Sequence, residues 1–231
     1  MRPILLVTLL LLLPAPLTAR IRRAEQAHVW VGLLGDYAVG DRWALYQEVW
    51  LRRAEEGAVW QQRHFVQGAT RSLGEHWRVA AGHGFIRTSA YGELPGDATD
   101  EQRLWTHVAF PHETGRLRWS HRTRLERRRI SHVEGDEPTQ HTGRWRQQLR
   151  LVYPLAPKVY LHAQGENFVR LAPREQRWDL EQTRAQGGIG WTVANATSLE
   201  LASLNQRLRR ATEREENHTV VPNVRANWRI R

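Results

Sequence analysis

Polar and apolar residues alternate with a period of two along almost the whole chain. In RWRQQLRLVY, Trp145, Leu149, Leu151 and Tyr153 share one face with Gln147, while Arg146, Gln148 and Arg150 take the other. VVPNVRANWRI sets Val220, Pro222, Val224, Ala226, Trp228 and Ile230 against Asn223, Arg225, Asn227 and Arg229. SLELASLNQ opposes Leu199 and Leu201 to Glu200, and VYLHAQGENF opposes Val159, Leu161 and Ala163 to His162, Gln164 and Glu166. Successive side chains of a strand point to opposite faces, so the pattern predicts β-strands with one apolar and one polar side. Eleven segments read this way: 28–39, 42–54, 58–73, 76–88, 101–111, 116–130, 144–155, 158–171, 177–193, 197–210 and 218–230. Most run 11 to 16 residues, against about five or six in ordinary soluble sheets.

Two architectures use such strands. A soluble sandwich turns the apolar faces inward against each other, whereas a membrane barrel turns them toward lipid and lines its lumen with the polar faces. Strand length favours the barrel. So do aromatics near segment ends, at Trp30, Trp43, Trp60, Trp77, Tyr153, Trp178, Trp191 and Trp228, where interfacial girdles are expected. Connections alternate between short turns (AVGD, LGEH, HETG, PLAP, VANA) and longer polar ones at 89–100, 131–143, 171–177 and 211–218, joined by the brief AEEG at 54–57. In outer-membrane barrels the short set is periplasmic and the long set external. The predicted fold is therefore all-β: a single antiparallel up-and-down transmembrane β-barrel. Because bacterial single-chain barrels have even strand numbers, eleven segments imply about twelve strands, with ten as the alternative.

The N-terminus supplies an export signal. In MRPILLVTLLLLLPAPLTA, Arg2 precedes an apolar run from Ile4 to Leu13, and Pro14 and Pro16 lead into a small-residue site at Ala19, the order of a cleaved signal peptide. The expected division is 1–19 signal peptide, 20–27 a short N-terminal segment and 28–231 the barrel, exported to the outer membrane of a Gram-negative bacterium. The chain has no cysteine, so it forms no disulfide and carries no lipidated cysteine.

Net charge is +10, and Lys158 is the single lysine, so the excess is arginine. A basic balance first suggests nucleic acid or an anionic surface; the export signal argues against nucleic acid. In RWSHRTRLERRR, residues 118–129, strand geometry puts Ser120, Arg122, Arg124, Glu126 and Arg128 on one face and Trp119, His121, Thr123 and Leu125 on the other. In a barrel the first set points into the lumen. Joined there by Glu101, Arg103, Arg146, Arg150, Glu166, Arg184 and Glu200, it would form a lattice of arginine and carboxylate. Arginine's planar fork suits such pairing, and a small barrel can fill its interior with side chains. The lattice reads either as a plug or, through its arginine excess, as a path or site for an anionic solute. Arg127, Arg129, Arg144 and Arg174 are candidates for an outer rim facing lipopolysaccharide phosphates.

No catalytic constellation emerges. Ser120 and His121 are adjacent and must point to opposite faces, and Ser131, His132 and His141 fall in a loop. Histidines at 83, 107, 112, 132 and 141 lack ligand spacing, even with Glu134, Asp136 and Glu137 nearby, so no metal and no cofactor is assigned. Gly187, Gly188 and Gly190 inside a strand mark a bend or close packing.

An ordered series of segments carries a resemblance: Glu101 to Trp105, Arg122 to Arg128, Arg146 to Arg150 followed by LVYPL, Glu166 in QGENF, LEQTRAQGGIGW with Arg184, LELASLNQR, and Asn217-His218. Through these the chain resembles the bacterial proteins grouped as domain of unknown function 2490, predicted outer-membrane barrels. The resemblance implies a fold and a location and supplies no catalytic residue. The C-terminus is similar to a barrel-assembly signal at Asn223 and Trp228 and departs from it at Arg225, Ile230 and Arg231. Expected partners are thus outer-membrane lipid, lipopolysaccharide and the barrel-assembly machinery.

Overall fold

The computed structural model describes residues 22–92, 96–172, 177–194, 196–209 and 213–226. The expected signal peptide, Arg174, Trp228, Ile230 and Arg231 lie outside them. Among the described residues there are eleven strands, one for each alternating segment: β1 (Arg22–Ala38), β2 (Trp43–Ala54), β3 (Val59–Leu73), β4 (Trp77–Thr88), β5 (Thr99–Thr114), β6 (Leu117–His132), β7 (Gln140–Ala156), β8 (Val159–Ala172), β9 (Arg177–Ala194), β10 (Thr197–Arg209) and β11 (Glu213–Ala226). Each pairs antiparallel with its sequence neighbours, and β1 pairs with β11, closing the sheet into a barrel. Closure leaves no open strand edge.

The closing pair is parallel, with Val29 opposite Val220 and Gly32 opposite Asn223. This corrects both the expected strand number and the all-antiparallel pairing. In a meander the direction alternates, so the first and eleventh strands run the same way, and an odd barrel can close only through a parallel pair. Backbone donors and acceptors are satisfied in either sense, so the even-number expectation carried no physical necessity. β1 also begins at Arg22 rather than at residue 28. The opening RRAEQA shows no clear alternation, and its strand conformation comes from pairing with β11.

The short turns gather at one end of the barrel and the longer connections at the other. At the longer end a 3₁₀ turn over 55–57 holds Glu55 and Glu56 at φ of 51° and 57°, in the left-handed region. The Glu55 carboxylate accepts the Gly92 backbone N–H at 3.1 Å, tying two connections together.

Side chains sort in the reverse of a soluble core. Leu45, Leu51, Phe65, Phe85, Leu104, Leu125, Leu161, Leu199 and Leu201 are exposed on the outer wall, and among the described residues buried polar and charged side chains outnumber buried apolar ones. The sandwich reading is thereby overturned, since the apolar faces do not meet across a core. Tryptophan divides into two populations. Trp43, Trp77 and Trp191 are exposed on the outside near the short turns, with Tyr153, and Trp77 packs on Phe110 with ring centroids 4.9 Å apart. At the far end Trp60 is flanked by Arg53 and Arg63. Trp30, expected in the girdle, is instead inside and 2% exposed. It lies in HVWVGLL, where apolar residues occupy both faces and alternation cannot orient it; pairing with Arg52 decides the matter. The Trp178 side chain lies outside the described residues.

Three lumen aromatics lie over glycines of the adjacent strand: Trp50 faces Gly32, Trp105 faces Gly82 and Tyr160 faces Gly190. A Cβ at Gly82 would stand 2.6 Å from the Gly68 Cα and 2.8 Å from the Trp105 ring. Gly82→Ala is therefore expected to cost about 1–3 kcal/mol by overpacking. Gly165→Ala, where an added Cβ meets nothing within 4 Å, serves as the control. Equal melting temperatures for the two variants would show that Trp105 does not seat on this glycine. A Cβ added at Gly188 would stand 2.7 Å from the Ala202 Cα, so this is a close-packing glycine of the same kind.

Candidate functional site: the arginine–carboxylate lumen

The alternation of β5, β6, β7 and β8 delivers the lattice, and the register assembles it. Trp105 pairs with Glu126 and His107 with Arg124 across β5 and β6; Glu126 pairs with Arg144 and Arg124 with Arg146 across β6 and β7. Glu126 is the hub, and its side chain is 0% exposed. One oxygen accepts Arg146 Nη1 at 2.8 Å and lies 3.4 Å from Arg103 Nη1. The other accepts Arg144 Nη2 at 2.6 Å and Nε at 2.7 Å, a two-pronged contact. Arg146 passes on to Glu166 at 2.7 Å, which also meets Arg122 at 3.3 Å. Arg103 turns to Glu101 at 2.6 Å, and Arg128 reaches the second Glu101 oxygen at 2.8 Å. Arg124, 1% exposed, contacts Glu48 at 3.6 Å and donates to the Tyr46 hydroxyl at 3.0 Å, over the Trp105 ring. Charges removed from water this completely are tolerable only when paired and hydrogen-bonded.

A second cluster lies toward the short-turn end. There Glu200 pairs with Arg150 and with Arg225 at 2.7 Å, and accepts the Tyr160 hydroxyl at 2.8 Å. A cavity of about 140 Å³ runs along the lumen beside both clusters, from Glu101 and Arg128 to Arg150 and Arg225, and a vestibule of about 770 Å³ opens among the short turns; Arg150 and Arg225 line both.

A family model described as protein of unknown function (DUF2490) matches residues 27–217. The chain belongs to that family. No match was found among curated proteins.

The DUF2490 match spans every lumen residue named from the sequence. Glu101, Arg103, Arg122, Arg124, Glu126, Arg128, Arg146 and Glu166 come together in the first cluster, and Arg150 and Glu200 in the second. Arg184 shares the lumen, but among the described residues no carboxylate lies within ion-pairing distance of it. Sequence reasoning missed Glu48, Arg52, Glu181 and Arg225 as members. On β2 the inward face is Tyr46, Glu48, Trp50 and Arg52 and the outward face includes Leu45, Val49 and Leu51, so both faces carry apolar residues and hide the charges. Arg144, assigned to the rim, is 7% exposed inside the lumen. The connection before it was read as ending at residue 143, whereas β7 begins at Gln140. Arg127 and Arg129 are exposed on the outside.

The enzyme candidates separate. Ser120 lines the vestibule and His121 is exposed. His107 is buried inside, while His112 packs on the outer aromatics Phe110 and Trp119. His132 lies 3.5 Å from Asp97 through Nδ1 and 3.2 Å from Glu137 through Nε2. One ligand atom from each of Asp97, His132 and Glu137 lies within 4.8 Å of the others, a spacing that could hold a cation, but both carboxylates are exposed.

Proposed function

We propose that this DUF2490 chain is an integral outer-membrane β-barrel with a lumen closed by its own arginine–carboxylate lattice, acting as a rigid binding or scaffolding element rather than an open pore. The observation that carries this reading is the inverted polarity of a closed barrel: an apolar exterior around an interior rich in buried charge. Such a molecule would be insoluble as a monomer in water and stable in a bilayer, where an outward apolar band about 25 Å tall is required. Exposed aromatics near the short turns match an interfacial girdle. On the opposite part of the outer wall, Arg63, Arg87, Arg127 and Arg129 are exposed, which suits contact with lipopolysaccharide phosphates if the longer connections face outward. Export by a cleaved signal peptide and insertion by the barrel-assembly machinery complete the reading.

A narrow anion-favouring channel is the second reading, motivated by the arginine excess and the open vestibule. Closure is favoured because the Glu126 carboxylate and the three arginines around it, Arg103, Arg144 and Arg146, are packed together inside the lumen with the carboxylate wholly buried. Single-channel recording of the folded chain in a planar bilayer under a salt gradient distinguishes the two. A silent, inserted barrel is expected; steady anion-selective steps would replace the closed reading with the channel, and recovery of the native protein from the soluble periplasmic fraction would remove both.

A further inference from the structure

Among the described residues, every arginine lining the 140 Å³ cavity is ion-paired with a carboxylate except two. Those two are Arg52 on β2 and Arg184 on β9. Both guanidinium groups lie against one indole: the Arg52 Cζ is 3.9 Å from a Trp30 ring centroid and the Arg184 Cζ is 5.0 Å from one. The protein acceptors that reach them are neutral amides. Arg52 Nη1 donates to Gln62 Oε1 at 2.9 Å, and Arg184 Nε donates to Gln206 Oε1 at 2.8 Å. Arg52 is 5% exposed, and its Nε is buried with no hydrogen-bond partner.

Elsewhere in this lumen burial of a guanidinium is matched by a carboxylate, as the cost of an isolated buried cation requires. Here two cations meet an aromatic face and amide oxygens, and the nearest carboxylates among the described residues, Glu48 and Glu166, act on them only from beyond contact distance. Guanidinium forks match the oxygens of phosphate and carboxylate groups in pairs. The cavity, about 140 Å³, offers room for a compact oxyanion. Access runs through the vestibule and past Arg150 and Arg225, which line both spaces, so an incoming anion meets cationic side chains along its path.

We infer that Arg52 and Arg184, arranged on Trp30, form an internal binding site for one compact tetrahedral oxyanion of the phosphate type. The site is defined by lumen geometry alone and stands whether or not the barrel spans a bilayer. Failure to find the protein in the outer membrane would remove the proposed function and leave this site intact.

The test is heat unfolding of the barrel folded in a zwitterionic detergent, with inorganic phosphate titrated at constant ionic strength against chloride. Saturation at about 100-fold over the dissociation constant should raise the melting temperature of the wild-type barrel by roughly 5 °C or more. Arg52→Gln and Arg184→Gln should lose that rise, and neither breaks an ion pair among the described residues, so both should still fold without phosphate. Arg118→Gln, in the vestibule wall, should keep it. Sulfate matching phosphate would support a tetrahedral-oxyanion site. A rise with acetate but not phosphate would overturn the assignment, as would no phosphate-specific rise in the folded wild type, or an equal rise in both glutamine variants. Should either variant fail to fold, the wild-type comparison of phosphate with chloride decides the matter by itself.

Discussion

Glu126→Ala is expected to destabilise the barrel by at least about 3–5 kcal/mol, because deleting one partner of a buried ion pair leaves the other uncompensated. The loss is multiplied at this position. Arg103, Arg144 and Arg146 all contact Glu126 within 3.4 Å, and a methyl group at 126 leaves them facing one another in a space closed to water. Arg146 retains Glu166 and Arg103 retains Glu101, so part of the lattice survives; Arg144 keeps only a distant contact with Glu181 at 3.9 Å. Glu126→Gln, which keeps the volume and an acceptor oxygen, should lie between wild type and alanine. The measurement is the temperature at which the folded, fast-migrating form converts to the unfolded form on gels. Insertion should persist, since the outer wall is untouched. Melting of the alanine variant within a degree or two of wild type would mean that Glu126 is not the hub.

Leu125→Arg, one residue away, tests the other face. Leu125 points outward and is 51% exposed, between mid-wall pairs with Thr106 on β5 and Trp145 on β7. Under the proposed membrane reading this surface meets hydrocarbon, and an arginine there should cost about 2–4 kcal/mol when the barrel is folded into lipid vesicles. If the same wall met water, the change would be an ordinary surface substitution within about 0.5 kcal/mol. Equilibrium unfolding from vesicles separates the two outcomes. A neutral result for Leu125→Arg alongside a severe one for Glu126→Ala would retain the lumen lattice while removing the bilayer from around it.

The adjacent pair shows what was legible in the chain. Arg124, Leu125 and Glu126 alternate, so their division between two faces follows from strand geometry before any partner is known, and the same holds for Glu200 between Leu199 and Leu201. Where both faces carry apolar residues the division fails. Trp30 was placed with the outer aromatics, and Glu48 and Arg52 escaped notice between Tyr46 and Trp50, although all of these line the lumen. Arg144 was misplaced for a different reason: read as the first residue of its strand it falls at the rim, whereas β7 begins four residues earlier at Gln140 and carries it into the lumen.

Period-two patterning is local, a property of a few consecutive residues, and so the sequence by itself determined the eleven two-faced strands, their chain order and the alternation of short and long connections. Pairing is not local. The parallel closure of β1 on β11 joins residues about 190 positions apart, such as Val29 and Val220, and only closure of the sheet decides it. The same register decides which arginine meets which carboxylate, why Glu126 collects three within 3.4 Å, and why Arg52 and Arg184 lie beside Trp30 with no ion pair among the described residues, because an ion pair depends on separations of a few ångströms between side chains that the sequence leaves unrelated.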